Sequence, residues 1–270
     1  MTRPIRIGAH LWPAGVPDYA TWRAAVRRAE ELGVDVVFGY DHFHGPAVRR
    51  VPGGIELEPV QPDVTNFEGW TALASWAEIT TRAEIGLLVT GIGYRNPDLL
   101  ADMARTVDHI SAGRLILGVG AGWYEKDYRV YDYDYGTLRS RMDLFAEGLS
   151  RIEHRLANLN PPPLRRIPIL IGGGGERRTL PLVGRHAHIW HCGTDLATYR
   201  RKNDLVKQHA AAAGRDDGAI ERATNWADAA QADAMRAEGV TLYVTELKPT
   251  AAGYDFTRLT EILAWRDSVR

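Results

Sequence analysis

The sequence predicts an α/β fold, a single (β/α)8 TIM barrel that spans residues 1–270. Short apolar runs alternate with longer segments of helical periodicity, and this alternation is typical of a parallel sheet with helices between its strands. Eight such units fit within about 250 residues, the usual size of a closed barrel. The first strand-to-helix junction, HLWPAGVP, lacks the G-x-G-x-x-G pattern that would favour a doubly wound open sheet.

The first half of the chain contains four predicted strands, at residues 5–10, 34–44, 83–91 and 114–122. A helix follows the first strand, with Asp18 as its predicted N-cap and Gly33 as its stop. Residues 45–66 are rich in proline and glycine and are predicted to form a loop. Further helices are predicted over 68–80 and 97–110, and the apolar residues that we expect the second of these to bury are Leu99, Met103, Val107 and Ile110.

The second half continues the same alternation. A tyrosine-rich loop, YRVYDYDYG, leads to a helix whose apolar residues recur every three or four positions from Leu138 to Leu156. A C-terminal helix is predicted from about Asp255. The remaining predicted strands are IPILIGGGG (167–175), AHIWHCG (187–193), AIERATNWA (219–227) and GVTLYVTE (239–246).

The composition excludes several classes of protein. The net charge of −1 provides no field that would attract nucleic acid or an anionic membrane. Cys192 is the single cysteine, which excludes a disulfide framework and a cysteine-based zinc site, and we expect it to be buried and inert. The N-terminal segment shows no long apolar run, so we expect a cytoplasmic protein without a signal peptide or membrane anchor.

The carboxyl ends of the predicted strands supply the candidate site, because barrel enzymes place their chemistry there. These ends are rich in glycine, histidine and aromatic residues, which indicates a pocket for a flat ligand that carries a phosphate. The candidates are His10, Trp12, Asp41, His42, Thr90, Gly91, Ala121, Gly122, Trp123, Gly172 to Gly175 and His191.

Four glycines, Gly172 to Gly175, separate the fifth predicted strand from the helix that follows it. A tight turn needs only one or two glycines. Four allow backbone N–H groups to approach an anion closely at a helix N-terminus, and Arg177 and Arg178 would add positive charge. The sequence therefore favours a phosphate site here, although barrel phosphate sites more often follow strands seven and eight.

The segment Asp41-His42-Phe43-His44 follows the second strand. Histidine titrates near neutral pH and can transfer protons or hydrogen-bond to a heterocycle. A metal-dependent hydrolase that uses His10, His42 and His44 is an alternative, but most barrel metal sites also need a ligand from another strand end, and Glu246 is the only late carboxylate candidate. A purely structural histidine is the third interpretation.

Four stretches together resemble the luciferase-like flavin and deazaflavin oxidoreductases, and most closely the subgroup that uses the deazaflavin coenzyme F420. They are HLWP at 10–13, YDHF at 40–43, and the segments 87–128 and 167–191. The resemblance covers residues 1–191 well and the rest loosely. It implies a barrel with the cofactor at the carboxyl ends of the strands, and a homodimer, as is common in that family.

The resemblance also implies roles for individual residues. His42 would handle protons or contact the ring beside Asp41, and Thr90 and Gly91 would form a bulge, often with a cis non-proline peptide, that supports the ring from behind. Three further groups are implied or predicted: Ala121 and Gly122 lining the cofactor, Gly173, Gly174, Gly175 and Arg178 at its phosphate, and His10, Trp12, Trp123 and His191 around the substrate.

One departure limits the resemblance. Some deazaflavin dehydrogenases carry a glutamate as proton partner just after the strand-four glycines, where this chain has Trp123, so a sugar-phosphate dehydrogenase mechanism is not supported. We predict hydride transfer between F420 and a small organic substrate. The alternatives are an FMN-dependent monooxygenase that activates oxygen, and a cofactor-binding protein without catalysis.

Overall fold

Eight parallel strands close into a barrel in the computed structural model, which describes residues 3–51 and 54–269. Around the barrel the order is β3-β2-β1-β8-β7-β6-β5-β4, and pairing of Ile85 with Leu115 closes the ring. This arrangement confirms the predicted (β/α)8 barrel. The strands are β1 (Arg6–Leu11), β2 (Val36–Gly39), β3 (Glu84–Leu87), β4 (Leu115–Gly120), β5 (Ile169–Gly172), β6 (Ile189–His191), β7 (Glu221–Asn225) and β8 (Val240–Leu247).

Helices cover the outside of the barrel. They are α1 (Tyr19–Leu32), α2 (Gly69–Ile79), α3 (Pro97–Ile110), α4 (Glu125–Val130), α5 (Leu138–Ala157), α6 (Thr179–His186), α7 (Leu196–Ala212), α8 (Ala229–Ala237) and α9 (Thr257–Ser268). Within residues 3–51 and 54–269, none of these helices combines the length and the apolar character needed to cross a membrane.

Local capping determines where the helices begin and end, as the sequence predicts. The Asp18 side chain accepts a hydrogen bond from the Thr21 N–H at the start of α1, and Gly33 ends that helix with φ at +102°. In α3 the Asn96 side chain accepts from the Asp98 N–H, and Pro97 occupies the first helical position, where its missing N–H costs nothing.

The third strand is irregular, and this irregularity brings backbone and side chains across the barrel mouth. After β3 the chain passes through a cis peptide between Leu88 and Val89, and Thr90–Gly91 then rejoins the sheet beside Val119–Gly120. A Cβ on Gly118 would overlap the carbonyl oxygen of Leu87, so only glycine fits there. The predicted bulge therefore lies at Leu88–Val89, two residues before the predicted Thr90–Gly91.

Two predictions about the helices and loops were wrong. In α3, Leu99 is 54% exposed and Ile110 is 37% exposed, because the helix turns its small residues Ala101 and Ala104 towards the core. The predicted loop 45–66 contains a hairpin of two short antiparallel strands, Val48–Val51 and Gly54–Leu57, whose connecting residues 52–53 lie outside the described residues.

The barrel interior changes from apolar to polar towards the carboxyl ends of the strands. Its central layer is formed by Val36, Phe38, Ile116, Leu170, Ile189, Ala223, Leu242 and Val244. Because side chains alternate along a strand, the residue two positions after Val244, Glu246, also points inward. His10 lies opposite Glu246 in the β1–β8 register. These residues, with His191 and Asn225, form a polar layer beneath the barrel mouth.

Candidate active site

A cavity of about 170 Å³ opens at the carboxyl ends of β1, β2 and β8. It brings together His42 and three of the four predicted substrate-pocket residues. Its lining residues are His10, Trp12, Tyr40, His42, Pro46, Val48, Leu88, Trp123, Glu246 and Lys248. The fourth predicted residue, His191, is not among them, and its Nε2 lies 3.1 Å from Oδ1 of Asn225 in the polar layer.

A larger cavity, of about 800 Å³, lies at the opposite end of the barrel, beside Ile5, Glu221 and Val240. These residues are at or near the amino ends of β1, β7 and β8, and none of the predicted site residues lines this cavity. Barrel enzymes carry their catalytic groups at the carboxyl ends. The smaller cavity is therefore the candidate active site.

Aromatic rings form the walls of the candidate site. The His42 ring lies with its centroid 5.3 Å from Tyr40 and 5.3 Å from Trp123, in both cases nearly edge-on. Trp12 packs against Tyr40 at 5.3 Å, and the Tyr40 hydroxyl donates to Oδ1 of Asn66. Aromatic walls with polar groups placed among them are typical of small-molecule sites.

The His42 side chain is held by Asp127, a residue of α4 that is fully buried. Oδ2 of Asp127 lies 2.7 Å from His42 Nδ1 and accepts from the Tyr94 hydroxyl at 2.9 Å. Oδ1 accepts from the backbone N–H groups of Phe43 and His44 and lies 3.0 Å from His44 Nδ1. One carboxylate therefore accepts five hydrogen bonds.

The charge of Asp127 determines which nitrogen of His42 faces the cavity. Burial alone would raise the pKa of Asp127, but hydrogen bonds from His42, His44 and Tyr94 outweigh it and hold that pKa below its ordinary value. An ionised carboxylate only accepts, so Nδ1 of His42 carries a proton. Nε2 is then the nitrogen left for a ligand, as in other carboxylate–histidine pairs.

Asp127 was not predicted from the sequence. Glu125, the acidic residue nearest to Trp123 in the sequence, pairs with Arg129 at the surface. Asp127 lies two residues further along, and the turn of α4 directs it inward. One feature of the sequence could have indicated it: Asp127 is an acidic residue half a helical turn after Glu125, in a segment otherwise dominated by aromatic residues.

Asp41 and Thr90, two predicted cofactor contacts, are buried and do not line the cavity. Arg95 donates to both carboxylate oxygens of Asp41, at 2.5 and 3.0 Å, and the Thr90 hydroxyl accepts from Nε1 of Trp70. Burial raises the pKa of Asp41 to about 6, although the Arg95 guanidinium opposes that rise. The Asp41–Arg95 ion pair joins the loop after β2 to the loop after β3. Gly91 likewise packs against the Tyr94 ring.

The glycine loop after β5 is fixed at one end and has free donors at the other. Gly173, with φ at +121°, donates its N–H to the His191 carbonyl, and its own carbonyl accepts from Trp190 Nε1 at 2.9 Å. Within residues 3–51 and 54–269, the N–H groups of Gly174 and Gly175 have no acceptor. Free N–H groups just before the start of α6 are suited to an anion.

A cation lies beside this loop, Lys202 of α7, which was not predicted from the sequence. A Cβ placed on Gly174 would lie 2.6 Å from Lys202 Nζ, so the ammonium reaches the loop. The predicted Arg178 instead donates to Oδ1 of Asp143 on α5, at 2.8 Å. Among the described residues Lys202 has no carboxylate partner. Lys202 lies far from the glycines in the sequence, so this contact was not predictable from it. The packing of α6 against α7 brings the two together.

Ala121 and Gly122 lie directly after β4, at the rim of the same barrel end. The Gly122 carbonyl accepts from Arg141 Nε at 3.2 Å, and a Cβ at Gly122 would overlap the Tyr128 hydroxyl. Trp123 follows and is 39% exposed, with one side against His42. The predicted strand-four loop therefore forms one side of the site.

In the described part of the chain, no group of three His, Cys, Asp or Glu side chains is arranged to hold a metal ion. His42 and His44 both direct Nδ1 to Asp127. Cys192 is buried, and burial raises the pKa of its thiol, which agrees with an inert cysteine.

A model of the luciferase-like monooxygenase family matches residues 2–258 of this chain. The pyrimidine monooxygenase RutA of Allorhizobium ampelinum is 27% identical over 244 residues, covering 80% of this chain and 64% of that protein. The phthiodiolone/phenolphthiodiolone dimycocerosates ketoreductase of Mycobacterium tuberculosis is 28% identical over 228 residues, covering 76% and 60% respectively. This chain therefore spans less than two thirds of the length of either relative.

Solved structures share the fold at low sequence identity. An F420-dependent secondary alcohol dehydrogenase in complex with an F420–acetone adduct has a TM-score of 0.81 at 16% identity, with 99% of this chain and 100% of that chain covered. The oxygenating constituent of 3,6-diketocamphane monooxygenase from Pseudomonas putida, in complex with FMN, has a TM-score of 0.62 at 15% identity, with 83% and 68% covered. At these identities the similarity shows the shared fold.

The Asp127 cluster gives a direct prediction about stability. Asp127→Asn keeps the side-chain shape but replaces one acceptor oxygen with an amide donor that faces other donors. We expect the free energy of unfolding to fall by roughly 2–3 kcal/mol, because hydrogen bonds to a buried charge are lost. Urea unfolding measures this change. Asp132→Asn is the control, since Asp132 is exposed with φ at +56°, which asparagine also adopts. Equal midpoints for both variants would contradict the role of Asp127.

Asp41 should make stability depend on pH in a defined interval. Because its pKa in the folded chain is raised to about 6, the native state binds more protons than the unfolded state between about pH 4 and pH 6. This contribution to the free energy of unfolding therefore falls, by about 3 kcal/mol, as pH rises through that interval. Asp41→Asn should remove it. The same pH dependence of urea unfolding in both proteins would contradict a raised pKa.

Proposed function

This chain belongs to the luciferase-like monooxygenase family, and we propose that it is an oxidoreductase that transfers hydride between coenzyme F420 and a small organic substrate. The observation that carries the proposal is the His42–Asp127 pair. It presents one imidazole nitrogen to an aromatic-walled cavity at the carboxyl end of the barrel. The cavity of about 170 Å³ is smaller than the roughly 300–1,000 Å³ of sites for drug-sized ligands, which favours a small substrate.

The residues at the carboxyl ends fit a planar cofactor with a phosphate. Gly174 and Gly175 offer free N–H groups, and Lys202 adds a positive charge beside them. Trp12 and Trp123 provide flat surfaces at the cavity. When bound, the deazaflavin supplies the hydride chemistry, and the protein supplies binding, orientation and electrostatics.

In this proposal His42 handles the proton at the substrate oxygen. The hydrogen bond from Nδ1 to Asp127 fixes the orientation of the ring and favours the neutral tautomer with its lone pair on Nε2. Nε2 then accepts a proton when an alcohol is oxidised and returns it when a carbonyl is reduced. The Trp123 ring lies beside the imidazole, with the two ring centroids 5.3 Å apart.

The choice of F420 is supported by the end-to-end similarity of fold to the F420-dependent alcohol dehydrogenase. A second candidate is an FMN-dependent monooxygenase, which the sequence similarity to the pyrimidine monooxygenase favours. The two are separated by oxygen consumption with reduced FMN. Consumption of oxygen coupled to substrate oxygenation, with no turnover of F420, would replace the first proposal by the second.

His42→Ala should lower kcat by roughly 10²–10⁴-fold, since it removes a general acid–base group. Cofactor affinity should stay nearly unchanged, because the proposed phosphate contacts lie elsewhere. The assay follows F420 reduction by a panel of alcohols and oxidation of reduced F420 by enones, imines and ketones. His154→Ala on the exposed face of α5 is the control. An unchanged kcat in His42→Ala would remove His42 from the mechanism, and no turnover by the natural chain would contradict the proposed activity.

Lys202→Met should weaken cofactor binding by roughly tenfold, because it removes a charge-assisted contact to phosphate while keeping an unbranched side chain of similar size. The control is Lys207→Met, since Lys207 lies on the same helix but pairs with Asp204. Dissociation constants are measured for F420 and for the deazaflavin riboside without phosphate. The loss should appear only with F420. An equal loss for both ligands would show that Lys202 does not contact the phosphate.

A further inference from the structure

The cavity of about 800 Å³ at the amino end of the barrel has no part in the proposed hydride transfer. Its volume lies within the roughly 300–1,000 Å³ that is typical of sites for small organic ligands. It opens beside the amino ends of β1, β7 and β8 and the carboxyl end of α8. The charged residues of its lining are Arg3, Lys207, Asp217, Glu221, Arg222, Arg236 and Glu238.

Every acidic side chain of this lining already forms an ion pair with an arginine. The pairs are Asp217–Arg222, Glu221–Arg6 and Glu238–Arg200. Arg6 also pairs with Glu84, and Glu84 pairs in turn with Arg165, so that two arginines balance two glutamates there. The carboxylates of the cavity therefore leave no excess of negative charge.

The floor of the cavity is held in place by the buried Arg222 of β7. Its Nε donates to Oδ1 of Asn203 on α7 at 2.9 Å, and its Nη1 donates to the Ile220 carbonyl at 2.6 Å. Nδ2 of Asn203 donates to the Glu238 carbonyl at the end of α8, at 2.9 Å. Because these bonds join β7, α7 and α8, the shape of the floor exists before any ligand binds, which lowers the cost of binding.

The remaining cations of the lining have little or no negative charge beside them. Within residues 3–51 and 54–269, the exposed Arg236 forms no ion pair, and the exposed Arg3 donates only to the uncharged Gly218 carbonyl, at 3.0 Å. Lys207 pairs with Asp204 at 3.0 Å, but both side chains are about half exposed, and such surface pairs are weak. A cleft with an excess of one sign of charge concentrates counter-ions.

The position of Arg236 also has a structural explanation, because a cation in the last turn of a helix is stabilised by the helix dipole. Arg3 has no such explanation. It precedes β1 in an irregular segment, yet it lines the same cavity as Arg236, which comes from the opposite end of the chain. The convergence of these two arginines on a preformed cavity indicates an anionic ligand.

We propose that this cavity binds a small organic molecule with several negative charges, whose phosphate or carboxylate groups contact Arg3 and Arg236. Guanidinium groups present paired N–H donors that match both kinds of anion. The apolar residues Ile5, Val240 and Val269 line the same cavity and contact the rest of the ligand. The site lies at the opposite end of the barrel from His42, so it is a second site that does not depend on the proposed hydride transfer.

Calorimetric titration of the full chain with pyrophosphate and with citrate, at constant ionic strength, tests this proposal. The glycine loop beside Lys202 is also suited to an anion, so the same titrations are made with Lys202→Met. We expect saturable binding of at least one of the two anions, and we expect Lys202→Met to retain it. No saturable binding of either anion, or loss of all binding in Lys202→Met, would overturn the proposal.

Variants of Arg236 locate the binding. Arg236→Met should weaken it by roughly tenfold, because one charge-assisted contact is lost, and Arg236→Lys should weaken it less, because the charge stays. Arg185→Met is the matched control, since Arg185 is an exposed arginine in the last turn of α6 that does not line this cavity. Unchanged affinity in Arg236→Met, or an equal loss in Arg185→Met, would overturn the assignment to this cavity.

Discussion

The Asp127 carboxylate is the interaction on which the organisation of the site depends. Asp127 lies in α4, after β4, and its partners come from two other loops at the barrel mouth. These partners are His42 and His44 after β2, and Tyr94 after β3. A buried charge is tolerated only when its lone pairs are satisfied, and five hydrogen bonds achieve this. The hydrogen bond to Asp127 also fixes the position and tautomer of His42. The carboxylate that joins the loops therefore also prepares His42 for proton transfer.

The irregular backbone after β3 also positions these loops. The irregular passage through Leu88 and Val89 crosses the strand-four glycines so closely that a side chain at Gly118 would not fit. The ion pair of Arg95 with Asp41 joins the same loops that Asp127 joins. Two buried carboxylates, Asp41 and Asp127, thus hold these loops together. Burial by itself would raise the pKa of both carboxyls. At Asp41 it outweighs the Arg95 guanidinium and the pKa rises, whereas at Asp127 the hydrogen bonds outweigh burial and the pKa falls.

The parts of the fold that depend on local chemistry were predictable from the sequence. Asp18 and Gly33 bound α1 through contacts within a few residues, and the alternation of strands and helices determines the barrel. The buried face of α3 was not predictable in the same way, because close packing favoured Ala104 over the larger Leu99. Lys202 reaches the glycine loop only because α6 packs against α7, whereas Arg178, its predicted counterpart, extends to α5. The strand ends thus identified the candidate site, but they did not identify Asp127 or Lys202.

The measurement that most directly tests the central claim is a titration of the chain with F420 and FMN in parallel, followed by intrinsic tryptophan fluorescence. Trp12 and Trp123 line the cavity, so a bound ring should quench their emission. We predict saturable quenching by F420 at concentrations well below those required for FMN. Quenching by FMN alone would contradict the choice of cofactor and favour the monooxygenase, and no quenching by either would contradict a ring-binding site at this end of the barrel.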